Sequence, residues 1–348
     1  MTAPLDFALD PDLAAFLDLV EAGTASGKRQ AMHTQTPDAA RAAYEAAAPM
    51  LDLPPDPLHR VDTIAIATRD GATIGARLYW PHGAPPPSAS APAGQPLAPV
   101  LLYFHGGGYC VGSLESHDSL CSALAARTPC AVLAVDYRLA PEHRFPTAFE
   151  DAEDAHGWLL EHAASLGLDR QRIAVGGDSA GGTLAAALAV ALTASLALDA
   201  GARALPQPVM QLLLYPCTAA AQDSASHQRY ASGYLLEAET LQWMFGHYLR
   251  HADDRRDWRF APLQADDVRG VAPALVVLGD HDPLYDEGVA YVAKLAASGV
   301  PATLKVYPGM IHDFLRLGNI VADADTARTE IARALASAMS APASLPVP

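Results

Sequence analysis

The sequence predicts an α/β fold: a mostly parallel sheet of about eight strands with helices on both faces, plus a small helical cap. Three observations predict it. From residue 99 onward, short apolar runs with turn residues behind them alternate with helical stretches, the pattern of parallel strands covered by crossover helices. Ahead of them, Val61–Ala67 alternates apolar and polar residues, and Thr73–Tyr79 follows after Asp70-Gly71, which reads as an antiparallel hairpin. The chain has 348 residues, of which 51% are hydrophobic and 18% charged. That suits one large domain with an appendage and excludes wholesale disorder.

Residues 1–50 are Ala-rich and carry Leu13, Phe16, Leu17 and Val20 at helical spacing, so they form an N-terminal helical cap segment. The run LPPDPL at 53–58 ends it, and the hairpin opens the first part of the main domain, residues 51–217. The Pro/Ala/Ser stretch at 81–99 is expected to be an exposed, mobile linker without chemistry. Six further strands are expected at 100–104, 131–135, 173–175, 210–215, 274–278 and 302–307. Helices are expected between them at 116–127, 145–166, 180–198, 286–298 and 322–339. The gap between Cys217 and Val271 breaks the alternation. Its segment SGYLLEAETLQWMFGHYL reads as one amphipathic helix, and residues 218–258 are expected to be an inserted cap. The main domain resumes over 259–340, and APASLPVP at 341–348 is expected to be a frayed tail.

Charge and composition narrow the partners. Lys plus Arg number 23 and Asp plus Glu 39, a net charge of −16. Such a chain repels phosphate backbones and anionic bilayers, which argues against nucleic acid and membrane as partners. The uncharged run at 180–198 approaches spanning length. It is mostly alanine with Thr and Ser, and it starts in a glycine cluster, so it reads as a buried helix. The N-terminus has no basic region before Lys28 and is not expected to be a signal peptide. Cys110, Cys121, Cys130 and Cys217 form no CxxC pair. They read as thiols in a reducing compartment, and a cytoplasmic protein is expected.

The strongest local signal is Gly177-Asp178-Ser179-Ala180-Gly181-Gly182. It contains G-x-S-x-G where a strand ends and a helix begins, the context a nucleophilic serine needs on a sharp turn. The pentapeptide alone arises by chance in roughly one chain of this length in ten, so the strand–turn–helix context carries the weight. His105-Gly106-Gly107-Gly108-Tyr109 follows the first buried strand. Its glycines leave backbone N–H groups free to meet an oxyanion, with Gly106 and Gly107 as the expected donors. His105 then reads as a framework residue hydrogen-bonded to backbone.

On a fold with this elbow the chain order is nucleophile, acid, base. After His281 the chain holds a single histidine, His312, just past the last expected strand. It occupies the place of the base. Three aspartates follow the strand at 274–278: Asp280, Asp282 and Asp286. Pattern ranks Asp282 ahead of Asp280 and leaves both open, with Asp286 expected to cap the next helix. The segment at 136–142, DYRLAPE, reads as an arginine–carboxylate bracket in preference to a substrate contact. His247 and His251 stand four apart, but no third ligand joins them, so they read as a surface face. No metal or organic cofactor is expected.

These segments carry a resemblance. HGGGY at 105–109, DYRLAPEHRFP at 136–146, GDSAGG at 177–182, DPLYDEG at 282–288 and YPGMIHDF at 307–314 occur in this order. They resemble the bacterial hormone-sensitive-lipase family (family IV) of carboxylesterases, the GDSAGG subgroup, within the α/β-hydrolase fold. The resemblance implies an α/β-hydrolase fold with a catalytic triad of Ser179, Asp282 and His312. It implies oxyanion donors at Gly106, Gly107 and Ala180, short- to medium-chain ester substrates, and a homodimer through the last strand or its neighbouring helices. Two departures stand out: the linker at 81–99 is long, and Asp313 follows His312 where glycine is common. Asp313 is expected to push the His312 pKa upward.

The reaction expected from these roles is ester hydrolysis through an acyl-enzyme. Tyr109, Asp178 and Trp243 are the expected substrate-pocket residues, with residues 1–50 and 218–258 covering the site. An amidase or deacetylase would use the same machinery, and a carbon–oxygen lyase on this fold would need different pocket groups. A non-catalytic receptor, as in plant hormone receptors that resemble this family, would lack the triad histidine; here it is present.

Overall fold

A computed structural model describes residues 8–83, 97–198 and 207–340. Eight strands form one sheet: β1 (Val61–Ala67), β2 (Thr73–Tyr79), β3 (Ala98–Phe104), β4 (Ala131–Asp136), β5 (Leu168–Asp178), β6 (Gln211–Leu214), β7 (Ala274–His281) and β8 (Ala302–Ile311). Their order is β1-β2-β4-β3-β5-β6-β7-β8. The β1–β2 and β2–β4 pairs are antiparallel, and every later pair is parallel. The hairpin expected from alternation occupies the residues predicted for it. Val61 pairs with Tyr79 and Ala67 with Thr73, around a turn in which Thr68 Oγ1 bonds Asp70 Oδ1 at 2.6 Å. The central strands are buried along nearly their whole length, because helices cover both faces of a parallel sheet.

Those helices are α3 (Asp118–Ala126), α4 (Thr147–Leu166), α5 (Ala180–Leu198), α8 (Tyr285–Ala297) and α9 (Asp323–Ser340). None of the helices among the described residues is long and apolar enough to cross a membrane. Arg138, just after β4, grips Asp151 of α4 with Nε at 3.1 and 3.0 Å and Nη2 at 2.5 Å. It reaches Asp70 of the hairpin at 2.6 Å. This is the bracket expected of the segment, although its carboxylates come from elsewhere in the chain.

The N-terminal segment folds as α1 (Pro11–Ala25) and α2 (Pro37–Leu51). Each begins with proline behind a capping side chain. Asp10 accepts from the Asp12 and Leu13 nitrogens, and Thr36 from that of Ala39, which satisfies N–H groups a helix start leaves free. Arg41 of α2 fastens the segment to the main domain. It donates to the carbonyls of Cys110 at 2.9 Å and Ala140 at 2.7 Å, and pairs with Glu142 at 2.5 Å. At the other end of α2, the buried Arg328 of α9 forks onto Asp52, with both oxygens at 2.6 Å.

The inserted segment differs from expectation. It is not one helix through residues 232–249 but α6 (Ala225–Arg229) and α7 (Ala238–Tyr248), separated by a bent stretch. Gly233 at φ 82° and Leu235 at φ 67° are left-handed, and a right-handed helix cannot run through them. Most of the linker expected at 81–99 and the tail expected at 341–348 lie outside the described residues.

Candidate active site

The carboxyl ends of β5, β7 and β8 come together at one edge of the sheet, and each delivers one reactive side chain. Ser179 follows β5 and precedes α5. It stands in the left-handed region at φ 51°, a strained conformation for a serine that only a tight surrounding structure holds. The flanking glycines explain how. A Cβ at Gly181 would overlap the Phe104 carbonyl oxygen of β3, so only glycine lets α5 approach the sheet this closely. The Ser179 N–H donates to the Leu214 carbonyl at 2.8 Å.

His312 follows β8 and is 5% exposed. Its Nε2 lies 3.0 Å from Ser179 Oγ, and its Nδ1 lies 2.7 Å from Asp282 Oδ2. With Nδ1–H donating to the carboxylate, Nε2 is left to accept the serine proton. Asp282 is fully buried, and its other oxygen accepts from the Leu284 nitrogen at 2.7 Å. Between the two aspartates the sequence left open, geometry brings Asp282 to His312. Asp280 turns away, accepting from the Gly309 nitrogen at 2.7 Å and bonding His281 at 2.8 Å. Asp286 lies in the first turn of α8 and accepts from the Ser226 nitrogen at 2.8 Å; it does not cap the helix.

Burial alone would lower the His312 pKa, but Asp282 outweighs it by attraction and hydrogen bonding, and Asp313 and Asp178 add to the rise. The net direction is upward, as expected from Asp313. That residue sits at φ 64°, which accounts for the glycine common at this place in the resemblance. Asp313 is balanced by the buried Arg316, whose Nη1 lies 2.7 Å away and also bonds the Tyr44 hydroxyl.

The glycine loop corrects one expectation. The Gly106 N–H points inward at His117 Nε2, 3.3 Å away, and so does not face the cavity. Gly107 and Gly108 line the cavity in its place, together with Ala180. Gly107 has φ 112°, and a Cβ there would overlap the Val111 carbonyl. Ala180 is the first residue of α5, so its N–H has no carbonyl one turn back and is free for a ligand. His105 is a framework residue. Its Nδ1 donates to the Gly106 carbonyl at 2.7 Å, its ring stacks on Tyr137 at 4.3 Å, and burial pushes its pKa down to about 3.

Ser179 and His312 open into a cavity of about 730 Å³. Its walls come mainly from the N-terminal segment, among them Phe16, Tyr44 and Ala47, and from α7 through Leu241 and Met244. Of the three pocket residues expected, Tyr109 and Trp243 are not in the wall. Tyr109 is buried and stacks on Tyr248 at 3.9 Å, and Trp243 lies edge-on to His247 at 4.7 Å. Asp178 borders the cavity, but its carboxylate is engaged by Tyr103 at 2.6 Å and His117 at 3.2 Å. The sequence signal for the true wall was the helical recurrence of Ala40, Tyr44, Ala47, Ala48 and Leu51 along α2. His251 lies beyond the end of α7, beside Asp254 at 3.5 Å. No group of three or more His, Cys, Asp or Glu is gathered for a metal among the described residues.

Comparison with known proteins places the chain among ester hydrolases of this fold. A family model described as the alpha/beta hydrolase fold matches residues 101–316. An ethyl acetate hydrolase of Pseudomonas putida is 46% identical over 328 residues, which are 94% of this chain and 98% of that protein. Carboxylic ester hydrolase LipN of Mycobacterium tuberculosis is 38% identical over 262 residues, 75% of this chain and 69% of that one. Among solved structures, an ester-hydrolase from the metagenome of Lake Arreo, complexed with a derivative of bipyridine phosphonate, superposes with a TM-score of 0.86 at 35% identity, covering 96% of this chain and 100% of that one. A hyperthermophilic esterase from the archaeon Pyrobaculum calidifontis superposes with a TM-score of 0.81 at 34% identity, covering 95% and 98%.

Proposed function

The chain belongs to the α/β-hydrolase family, in its hormone-sensitive-lipase-like branch, and is a carboxylic ester hydrolase; we propose that Ser179, His312 and Asp282 carry the reaction on short- to medium-chain esters. The observation that supports this most directly is the unbroken relay from Ser179 Oγ to His312 to Asp282, at 3.0 and 2.7 Å, at the foot of the cavity.

In this reading His312 Nε2 takes the Ser179 proton as Oγ forms a bond to the ester carbonyl carbon. The carbonyl oxygen becomes an oxyanion and receives the N–H groups of Gly107, Gly108 and Ala180. Asp282 stabilises the imidazolium. The carbon–oxygen bond to the alcohol breaks, and His312 returns its proton to the leaving oxygen. Water, deprotonated by the same imidazole, then attacks the acyl-enzyme and frees the acid and Ser179.

A relative named for ethyl acetate supports the short end of the substrate range. The apolar walls supplied by Phe16, Leu241 and Met244 leave room for a medium-length arm. Residues 1–50 and 218–258 act as the cap in this reading, since both contribute wall residues. The free thiols of all four cysteines suit a reducing, cytoplasmic setting. The edge position of β8 suits a homodimer.

The test is hydrolysis of p-nitrophenyl acetate, butyrate, octanoate and palmitate by the wild type and by Ser179→Ala. The expected result is a short- to medium-chain optimum that vanishes in the variant. An active Ser179→Ala enzyme would remove the proposed nucleophile.

A further inference from the structure

His117 stands outside the motifs that carry the reaction, yet it joins two of them. It precedes α3 and is 1% exposed. Its Nε2 lies 3.3 Å from the Gly106 nitrogen and 3.2 Å from Asp178 Oδ2. Its Nδ1 lies 2.9 Å from Ser116 Oγ. The second Asp178 oxygen is held by the Tyr103 hydroxyl at 2.6 Å. A Cβ at Gly106 would overlap Asp178 Oδ2, so the glycine loop and the end of β5 are in direct contact here. Burial opposes ionisation of Asp178, yet the neighbouring His117 holds its carboxyl below the usual range.

Gly106 immediately precedes Gly107, and Asp178 immediately precedes Ser179. Whatever fixes the first pair fixes the distance between the oxyanion donors and the nucleophile. Oxyanion stabilisation depends on donors already in place when charge develops. A displacement of about 1 Å is enough to cost on the order of a hundredfold in rate.

We propose that His117 is a positioning residue, holding the glycine loop against the strand that carries Ser179 and so setting the oxyanion hole. The inference rests on the proposed roles of Ser179 and the glycine loop. One ring nitrogen faces both partners. Unprotonated, it accepts the Gly106 N–H; protonated, it donates to Asp178. A glutamine amide placed at Nε2 serves both at once. An asparagine amide reaches only the Nδ1 position and serves neither.

The full chain and its His117→Ala, His117→Asn and His117→Gln variants are compared on p-nitrophenyl butyrate. Affinity is measured for a trifluoromethyl ketone, whose carbonyl carbon bonds Ser179 Oγ to leave an oxyanion, the serine proton passing to His312. For Ala and Asn the expected kcat falls about tenfold to about a hundredfold with KM within about twofold, and inhibitor affinity falls by the same factor. For Gln both stay within about threefold of wild type. Unchanged kcat in folded His117→Ala, or a kcat loss that inhibitor affinity does not follow, overturns the proposal. If His117→Ala does not fold, Asn and Gln decide, and equal kinetics for those two overturn it. Ser179→Ala is the separate control: turnover there refutes the nucleophile, whatever the His117 variants do.

Discussion

Arg316 Nη1 lies 2.7 Å from Asp313 Oδ2, so the carboxylate beside His312, the proposed base, faces a buried guanidinium on its other side. Both also meet Tyr44 of α2. The arrangement places a negative charge next to His312 and anchors it to the N-terminal segment.

The first prediction concerns pH. Against the effect of burial, Asp282 chiefly and Asp313 in addition raise the His312 pKa. The base must be neutral to act, so kcat/KM rises with pH through an acid limb above the ordinary histidine value. Asp313→Asn removes one of the raising charges, and asparagine tolerates the left-handed backbone there. Its acid limb is expected at lower pH than that of wild type. A limb that stays in place, measured from pH 5 to 9, would show that Asp313 does not act on the base.

Glu287 gives the second. It is buried in α8, accepts from the Thr218 nitrogen at 2.9 Å, and burial raises its pKa to about 8. The folded state therefore holds a proton that the unfolded state has released above the ordinary glutamate value. Stability is expected to fall as pH rises from about 5 through about 8. Glu287→Gln keeps the acceptor without the charge and should flatten this decline. Urea unfolding at pH 5.5, 7 and 8.5 measures it, and parallel declines in the two proteins would refute it.

The reach of the cavity is set in part by α2, and Ala47 lies in its wall. Ala47→Phe should shorten the accessible arm. Hydrolysis of p-nitrophenyl octanoate is expected to fall about tenfold or more in kcat/KM, with acetate changed by less than about threefold. Equal losses on both esters would place Ala47 away from the acyl or alcohol arm.

Arg41 is the tie between α2 and the loops around Cys110 and Ala140. Arg41→Ala leaves two carbonyls and Glu142 without their donor. It should cost about 1–3 kcal/mol of unfolding free energy and raise KM, because α2 carries the wall. Unchanged stability and KM would mean that the segment is held elsewhere.

Much of this site was legible in the sequence. Alternation and turn residues located β1 and β2 to the residue. The glycine-flanked serine and the last histidine meet in the structure in the expected chain order. Asp282, which the pattern left open beside Asp280 and the family resemblance singled out, is bonded to His312. These features are local: each rests on a short motif and a period. Where expectation fails, no short motif or period announces the arrangement. Gly106 was expected to face the oxyanion, but its N–H direction depends on His117, eleven positions away in sequence. Tyr109 and Trp243 were expected in the pocket, but their rings lie against Tyr248 and His247 outside its wall. The inserted segment carries a helical pattern that Leu235 breaks through a left-handed backbone, with no proline to announce it. Arg316 and Tyr44 lie 272 positions apart, and no local pattern pairs them.

Everything proposed for this site turns on Ser179, activated by His312, being the nucleophile. The measurement that tests it most directly is labelling with diethyl p-nitrophenyl phosphate, read by mass spectrometry of the intact chain and of its peptides. The expected result is one diethylphosphoryl group per chain, on the peptide that holds Ser179, with ester hydrolysis lost in step and no label on Ser179→Ala. An adduct on a different residue that abolishes activity, or full inhibition of turnover with Ser179 unmodified, would contradict it.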